Sequence, residues 1–178
     1  MANLFKKKYK KVGVLGGTFD PPHIAHIYIS KIALKKFNLD CVIWIITKQN
    51  PLKSKPELAT KIRLGLSRIL LKKEKKIFVK YLDELIKSKN TFDLINFLQK
   101  KNKKIKFFFL MGADNFINFH KWKNWKKIPK VAKIIVFNRP RFTKKALRSA
   151  AAKKLEKNEW MYIKSKGINI SSSLIRKF

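Results

Sequence analysis

Five short, nearly continuous apolar runs, each followed by a stretch of helical periodicity, constrain this chain more than any other feature. They are Val12–Leu15, Cys41–Thr47, Ile77–Leu82, Ile105–Met111 and Lys133–Phe137. A strand that is apolar at every position, and not only at alternate ones, is covered on both faces. Between the runs the spacing predicts helices over Ile24–Phe37, Pro56–Leu71 and Thr91–Lys101, the last with Asn90 or Thr91 as its N-cap. Short helical pieces are expected at Asp114–Phe119 and Trp122–Ile128. A helix over Thr143–Leu155, a further strand over Trp160–Ile163 and a terminal helix over Ser171–Lys177 complete the reading. Strands alternating with helices imply an α/β fold: a doubly wound, mostly parallel sheet with helices on both faces. In such sheets ligands bind at the carboxyl ends of the strands.

At 178 residues the chain suits a single domain spanning 1–178, with residues 1–10 as a flexible basic arm. Charge is the outlier: 44 Lys and Arg against 10 Asp and Glu give +34. The lysines are spread over every segment and only six of the 44 are arginine. A dedicated nucleic-acid face would concentrate them and favour arginine, so the reading is a solvated surface with non-specific nucleic-acid contact at most. Such a field would still speed the arrival of anionic small substrates. One cysteine, Cys41, leaves no internal disulfide framework and fits a reducing compartment. No apolar run reaches the roughly 18 residues of a membrane span, and the stretch behind the basic start is too short for a signal peptide. A cytoplasmic protein is expected.

The turn after the first run reads Gly16-Gly17-Thr18-Phe19-Asp20-Pro21-Pro22-His23-Ile24-Ala25-His26. It matches neither the dinucleotide fingerprint nor the Walker loop. Yet it has the parts of a phosphate cradle: two glycines for close backbone approach, a hydroxyl at Thr18, and two histidines at i, i+3 on one helix face. The chain has three histidines, and two stand here. A zinc pair is the rival reading, but no third ligand stands at a suggestive spacing.

This segment resembles the signature of the nucleotidyltransferases that carry an (H/T)-x-G-H motif, and its Phe-Asp-Pro-Pro-His form is similar to that of the nicotinate mononucleotide adenylyltransferase family. The resemblance extends to Asn50-Pro51-Leu52-Lys53, Thr91-Phe92-Asp93, Gly112-Ala113-Asp114-Asn115, Lys121-Trp122, Arg139-Pro140 and the terminal Ser171-Ser172-Ser173-Leu174-Ile175-Arg176. Five positions, in four departures, differ from the family pattern. Ala25 replaces the glycine between the histidines, Leu52-Lys53 replaces Pro-His, Ser173 replaces Thr, and Asn90 stands where the family often has Tyr.

The resemblance implies a Rossmann-like fold and adenylyl transfer from ATP to nicotinate mononucleotide, giving deamido-NAD and pyrophosphate. It implies that His23, His26 and Arg176 act on the ATP phosphates. Gly16, Gly17, Thr18, Phe19, Ser171, Ser172, Ser173 and Ile175 would complete the ATP site. Asp114 would touch ribose or base, with an ordinary N-cap as the alternative. Asp20, Asn50, Lys53, Thr91 and Trp122 would bind the acceptor, Trp122 stacking on the pyridine and Trp125 remaining structural. Asp83 and Glu84 are expected at the surface or in a helix cap. Mg²⁺ would ride on ATP, with no protein metal site. The rivals are another adenylyl- or cytidylyltransferase of the superfamily, such as one for phosphopantetheine, and a basic nucleic-acid-binding protein.

Overall fold

The computed structural model of the chain describes residues 5, 8–50, 52, 54–165 and 171–176. Six strands, β1 (Lys11–Gly17), β2 (Cys41–Ile46), β3 (Ile77–Tyr81), β4 (Lys106–Gly112), β5 (Lys133–Phe137) and β6 (Trp160–Ile163), form one sheet in the order β3-β2-β1-β4-β5-β6. Every neighbouring pair is parallel. Eight α-helices are found among the described residues: α1 (Ile24–Phe37), α2 (Thr60–Leu70), α3 (Asp83–Ile86), α4 (Thr91–Lys101), α5 (Ala113–Ile117), α6 (Thr143–Leu147), α7 (Ala150–Lys154) and α8 (Ser172–Ile175). None is long and apolar enough to cross a membrane.

The continuous apolar strands are explained by two cores. β2 is buried at all of its positions. Its side chains alternate, with Cys41, Ile43 and Ile45 entering one core and Val42, Trp44 and Ile46 the other. Leu94, Ile95 and Leu98 of α4 and Phe116 of α5 cover the first face. Ile27 and Ala33 of α1 and Leu64 and Leu70 of α2 cover the second. The strand order reverses at β1, whose neighbours β2 and β4 lead to opposite edges. A crevice therefore opens at the carboxyl ends of β1 and β4.

Several boundaries differ from the sequence reading, each for a local reason. The helix expected from Pro56 starts only at Thr60, because the backbone amides of Glu57 and Leu58 donate to the Asp20 carboxylate and Ala59 is extended. The helix expected over Thr143–Leu155 is two pieces. Ser149 ends the first and caps the second, its hydroxyl accepting from Ala152 N at 3.2 Å. The piece expected at Trp122–Ile128 is a 3₁₀ turn at Trp125–Lys127, entered through a left-handed Asn124. Of the arm expected at 1–10, residues 1–4 and 6–7 lie outside the described residues, but Phe5 is buried with its ring 5.7 Å from Phe107. The amides of Lys10 and Lys11 donate to Asp40.

Gly13 is the tightest point of β1. A Cβ there would stand 2.9 Å from Val42 Cγ2, 3.0 Å from Leu39 Cδ1 and 3.3 Å from Leu110 Cδ1. Gly13→Ala should therefore destabilise the fold by about 1–3 kcal/mol, the usual cost of overpacking a core. The measurement is a lowered denaturant midpoint at unchanged m-value; an unchanged midpoint would show that the three side chains yield freely.

Candidate active site

Two cavities open at the carboxyl ends of the strands and share one wall. The larger, about 380 Å³, lies between the turn after β1, the start of α1, the loops after β4 and β5, and α8. The smaller, about 240 Å³, lies between the turns after β1 and β2, α4 and the Trp122 loop. Gly16, Gly17, Thr18 and Asn115 line both.

The larger cavity collects Phe19, His23, His26, Asp114, Ser171, Ser172, Ser173 and Arg176, in addition to the shared Gly16, Gly17 and Thr18. The smaller collects Asn50, Thr91 and Trp122. Apart from the shared Gly16, Gly17 and Thr18, the residues expected at ATP fall in the larger cavity and those expected at the acceptor in the smaller, with three that do not follow this placement. Asp20 lines the larger cavity. It is buried, and both of its carboxylate oxygens accept backbone amides, from Glu57 at 2.9 Å and Leu58 at 3.0 Å, so it acts as a loop anchor. Ile175 lines neither cavity. Lys53 lies outside the described residues.

His23 is the N-cap of α1, with its ring 3.9 Å from that of His26. The backbone N–H of His23 donates to His26 Nδ1 at 3.2 Å. With Nδ1 accepting, the proton of a neutral His26 ring is on Nε2, which makes that atom a donor. The His26 ring packs against Phe19 at 4.7 Å and Trp44 at 5.6 Å. Behind it Trp44 donates to Ser30 Oγ, which donates to the His26 carbonyl. His23 Nδ1 is buried and has no hydrogen-bond partner. A buried ring nitrogen without a partner is uncommon in a folded protein. Burial, with Arg139 nearby, lowers the His23 pKa from 6.5 to about 4. The ring is neutral at pH 7, and a polyanion beside it would favour its protonation.

The two arginines of the larger cavity are held by carboxylates. Arg139 pairs with Asp114 and lies 5.8 Å over the Phe142 ring. Arg176 pairs with Glu57 at 2.7 Å, lies 3.5 Å from Asp20 Oδ2 and donates to the Asp20 carbonyl. Ser171 caps α8 through Leu174 N, and Ser172 Oγ donates to the Pro21 carbonyl, which docks α8 on the loop ahead of α1. Asp114 is in the first turn of α5, whose N-cap is Gly112. A Cβ at Gly112 would stand 2.5 Å from Asp114 Oδ1, so the carboxylate position depends on that glycine.

In the smaller cavity Trp122 stands edge-on to Phe109 and Phe119. Trp125 packs on Phe119 at 5.7 Å and lines neither cavity. Lys89, Lys121 and Lys123 add positive charge to the rim. The α4 start has no side-chain cap.

Sequence reasoning missed three residues. Arg139 was visible only as half of an Arg-Pro pair. Asp83, expected at the surface or in a cap, accepts from Thr47 Oγ1 at 3.0 Å and Lys48 N at 2.7 Å and so fixes the turn after β2. Arg63 is a buried arginine beneath both cavities. The scarcity of arginine in so lysine-rich a chain was the available signal.

The family model for cytidylyltransferase-like proteins matches residues 14–178. A Pelagibacter ubique protein named "Probable nicotinate-nucleotide adenylyltransferase" is 45% identical over 98% of this chain and 97% of its own length. A Bradyrhizobium protein of the same name is 31% identical over 93% of this chain and 95% of its own. The solved Plasmodium falciparum nicotinic acid mononucleotide adenylyltransferase complexed with NaAD superposes with a TM-score of 0.74 over 96% of this chain and 84% of its own, at 23% identity. The chain belongs to the cytidylyltransferase-like family, and its fold is that of the superposed structure. Within that class the chain belongs to the nicotinate-nucleotide adenylyltransferases.

The His23 shift has a measurable sign. Below pH 6.5 the unfolded chain takes up a proton that the folded state refuses until about pH 4, so acid favours unfolding across that window. His23→Asn should flatten the stability–pH slope there by about one proton. An unchanged slope would show His23 titrating normally in the fold.

Proposed function

We propose that the protein transfers the adenylyl group of ATP to the 5′-phosphate of nicotinate mononucleotide, giving deamido-NAD and pyrophosphate, a step of NAD biosynthesis. The observation that carries this reading is the shared wall: two cavities meet at Gly16-Gly17-Thr18. One polyanion on each side brings an acceptor phosphate to the α-phosphorus of ATP with no covalent intermediate.

The acceptor phosphate is already an anion, so no side chain has to remove a proton from it. Catalysis reduces to holding two anionic substrates in line and stabilising charge on the α-phosphoryl and the departing pyrophosphate. His26 Nε2, His23 and the N-terminal amides of α1 supply donors at the α-phosphoryl end. Arg176 and the serines 171–173 hold the β and γ phosphates, exchanging internal carboxylate and carbonyl contacts for phosphate ones. Asp114 accepts from the ribose, steadied by Arg139. Mg²⁺ would ride on ATP, where it would neutralise part of the triphosphate charge.

Trp122 stacks on the pyridine ring in the smaller cavity. A carboxylate differs from a carboxamide of the same shape by accepting at both oxygens, and a wall of N–H donors faces the amide's NH₂ with a clash. The uncapped first-turn amides beyond Thr91 form such a wall, and the helix dipole favours the anion. The lysines at the rim act in the same sense.

The test is incubation with ATP, Mg²⁺ and a panel of acceptors, with pyrophosphate as readout. Nicotinate mononucleotide should be used with roughly 10²-fold higher kcat/KM than its amide. Equal use of the two removes the carboxylate wall, and turnover with phosphopantetheine alone sinks the assignment. His26→Ala should lower kcat by roughly 10²-fold, the usual cost of one preorganised donor. Trp122→Ala should weaken acceptor binding and leave ATP affinity intact; wild-type acceptor KM in that variant would leave the ring a packing residue only.

A further inference from the structure

Arg63 touches neither cavity, yet it holds backbone from the walls of both. It is 1% exposed. Its Nε–H donates to the Leu58 carbonyl at 2.9 Å. Nη1 donates to the carbonyls of Thr18 at 2.5 Å and Thr47 at 2.8 Å. Nη2 donates to the Lys48 carbonyl at 3.2 Å and to Thr60 Oγ1 at 2.9 Å. All five guanidinium donors are therefore used, and every acceptor is neutral.

A buried cation without a hydrogen-bonded carboxylate is an expensive way to secure a helix. Asp20 and Asp83 act on it only through space, and each spends hydrogen bonds on other backbone groups. An apolar residue could anchor α2 to the sheet at lower cost. What it could not do is turn peptides.

A trans peptide is planar, with its C=O and N–H pointing in opposite directions. Arg63 draws in the carbonyls of Thr18, Thr47 and Lys48, so the next N–H in each case is turned away from it. The Lys48 N–H obeys this rule, landing on Asp83 Oδ2 at 2.7 Å. The Phe19 N–H is the corresponding group after β1, on a residue that lines the larger cavity. Phe19 has φ 50, a backbone conformation that a bulky residue adopts only when its surroundings impose it. Thr18 lines both cavities and Thr47 the smaller one. A single guanidinium thus sets the spacing of one wall of each.

We infer that Arg63 is a positioning residue for adenylyl transfer: it keeps the Thr18 carbonyl away from the ATP phosphates, turns the Phe19 amide towards them, and holds the Thr18 and Thr47 turns at the spacing that brings the two substrates into line. The inference rests on the adenylyltransferase reading. Lysine cannot replace it, because an ammonium has three donors and no planar fork.

The test compares Arg63→Lys, Arg63→Ala and Leu71→Ala, the last a buried residue at the end of α2 that lines neither cavity. Melting temperature, kcat and the KM values for ATP and nicotinate mononucleotide are measured well below each transition. Leu71→Ala should lower the melting temperature and keep kcat. Arg63→Lys, which retains the charge, should lose roughly 10²-fold in kcat with smaller changes in KM, the mark of lost alignment. Millimolar guanidinium, but not ammonium, should restore part of the kcat of Arg63→Ala. If that variant does not fold, Arg63→Lys alone decides. Wild-type kcat in Arg63→Lys, or a loss no greater than that of a Leu71→Ala chain of equal melting temperature, overturns the inference and leaves the activity standing. A wild-type chain inactive with every acceptor overturns the activity reading and this assignment together.

Discussion

The guanidinium of Arg63 is where the turns after β1 and β2 and the approach to α2 are joined. Two carboxylates complete the junction from outside. Asp20 takes the amides of Glu57 and Leu58 while Arg63 takes the Leu58 carbonyl. Asp83 takes the Lys48 amide while Arg63 takes the carbonyls of Thr47 and Lys48. The approach to α2 and the turn after β2 are each gripped on the N–H side by an anion and on the C=O side by a cation. Such loops carry little apolar surface, so polar pairing has to do what side-chain packing does elsewhere in the sheet. Precise turns matter here because both cavities are bounded by backbone at Gly16-Gly17-Thr18, where a small shift would misalign a direct transfer.

The electrostatics of the larger cavity are set by how its two arginines are paired. Arg139 and Arg176 are each held by carboxylates, so neither is a bare buried cation in the unliganded protein. The Arg176–Glu57 pair is cheap to exchange, since Glu57 is 65% exposed on its side chain and such a pair contributes little to stability. The Asp114–Arg139 pair is more enclosed. His23, held neutral by burial, adds a polar group with one nitrogen unsatisfied. The +34 field then speeds encounter, and the few oriented groups decide geometry.

The sheet was legible because parallel strands buried on both faces leave unbroken apolar runs, and β5 and β6 have the bounds expected. His23 and His26 were legible because their relation is local, one turn of helix. Arg63 and Asp83 were not, because their partners lie 45 and 36 residues away in sequence and no local pattern announces them. Asp20 shows the same limit: beside a glycine-rich turn it reads as a ligand contact, while its oxygens answer amides 37 and 38 residues on. Composition did hold one clue. Of the six arginines, 63, 139 and 176 stand at the site, and 68, 141 and 148 are exposed. Where lysine can supply charge everywhere, the planar fork of arginine marks places where direction is needed.

The acceptor wall shows how a departure from a family pattern can be absorbed. Asn90 stands where the family often has an aromatic ring, and its side chain joins a hydrogen-bonded knot instead. Asn90 Nδ2 donates to Asp93 Oδ2 and to Ser88 Oγ, both at 3.2 Å, and Ser88 Oγ donates to Asp93 Oδ2 at 2.6 Å. The Asn90 N–H closes the turn onto Ser88 Oγ at 3.1 Å. The knot has two consequences for the smaller cavity. It fixes the entry to α4 without a ring packed across the acceptor. It also occupies the Asn90 side chain, which would otherwise fold over and cap the first turn of α4. Those amides are left to a ligand, and Asp93, the acidic group nearest to them on α4, has its charge met by two donors. In the proposed reading, recognition of the acceptor carboxylate by those amides does not depend on the missing aromatic wall, because it rests on oriented N–H groups.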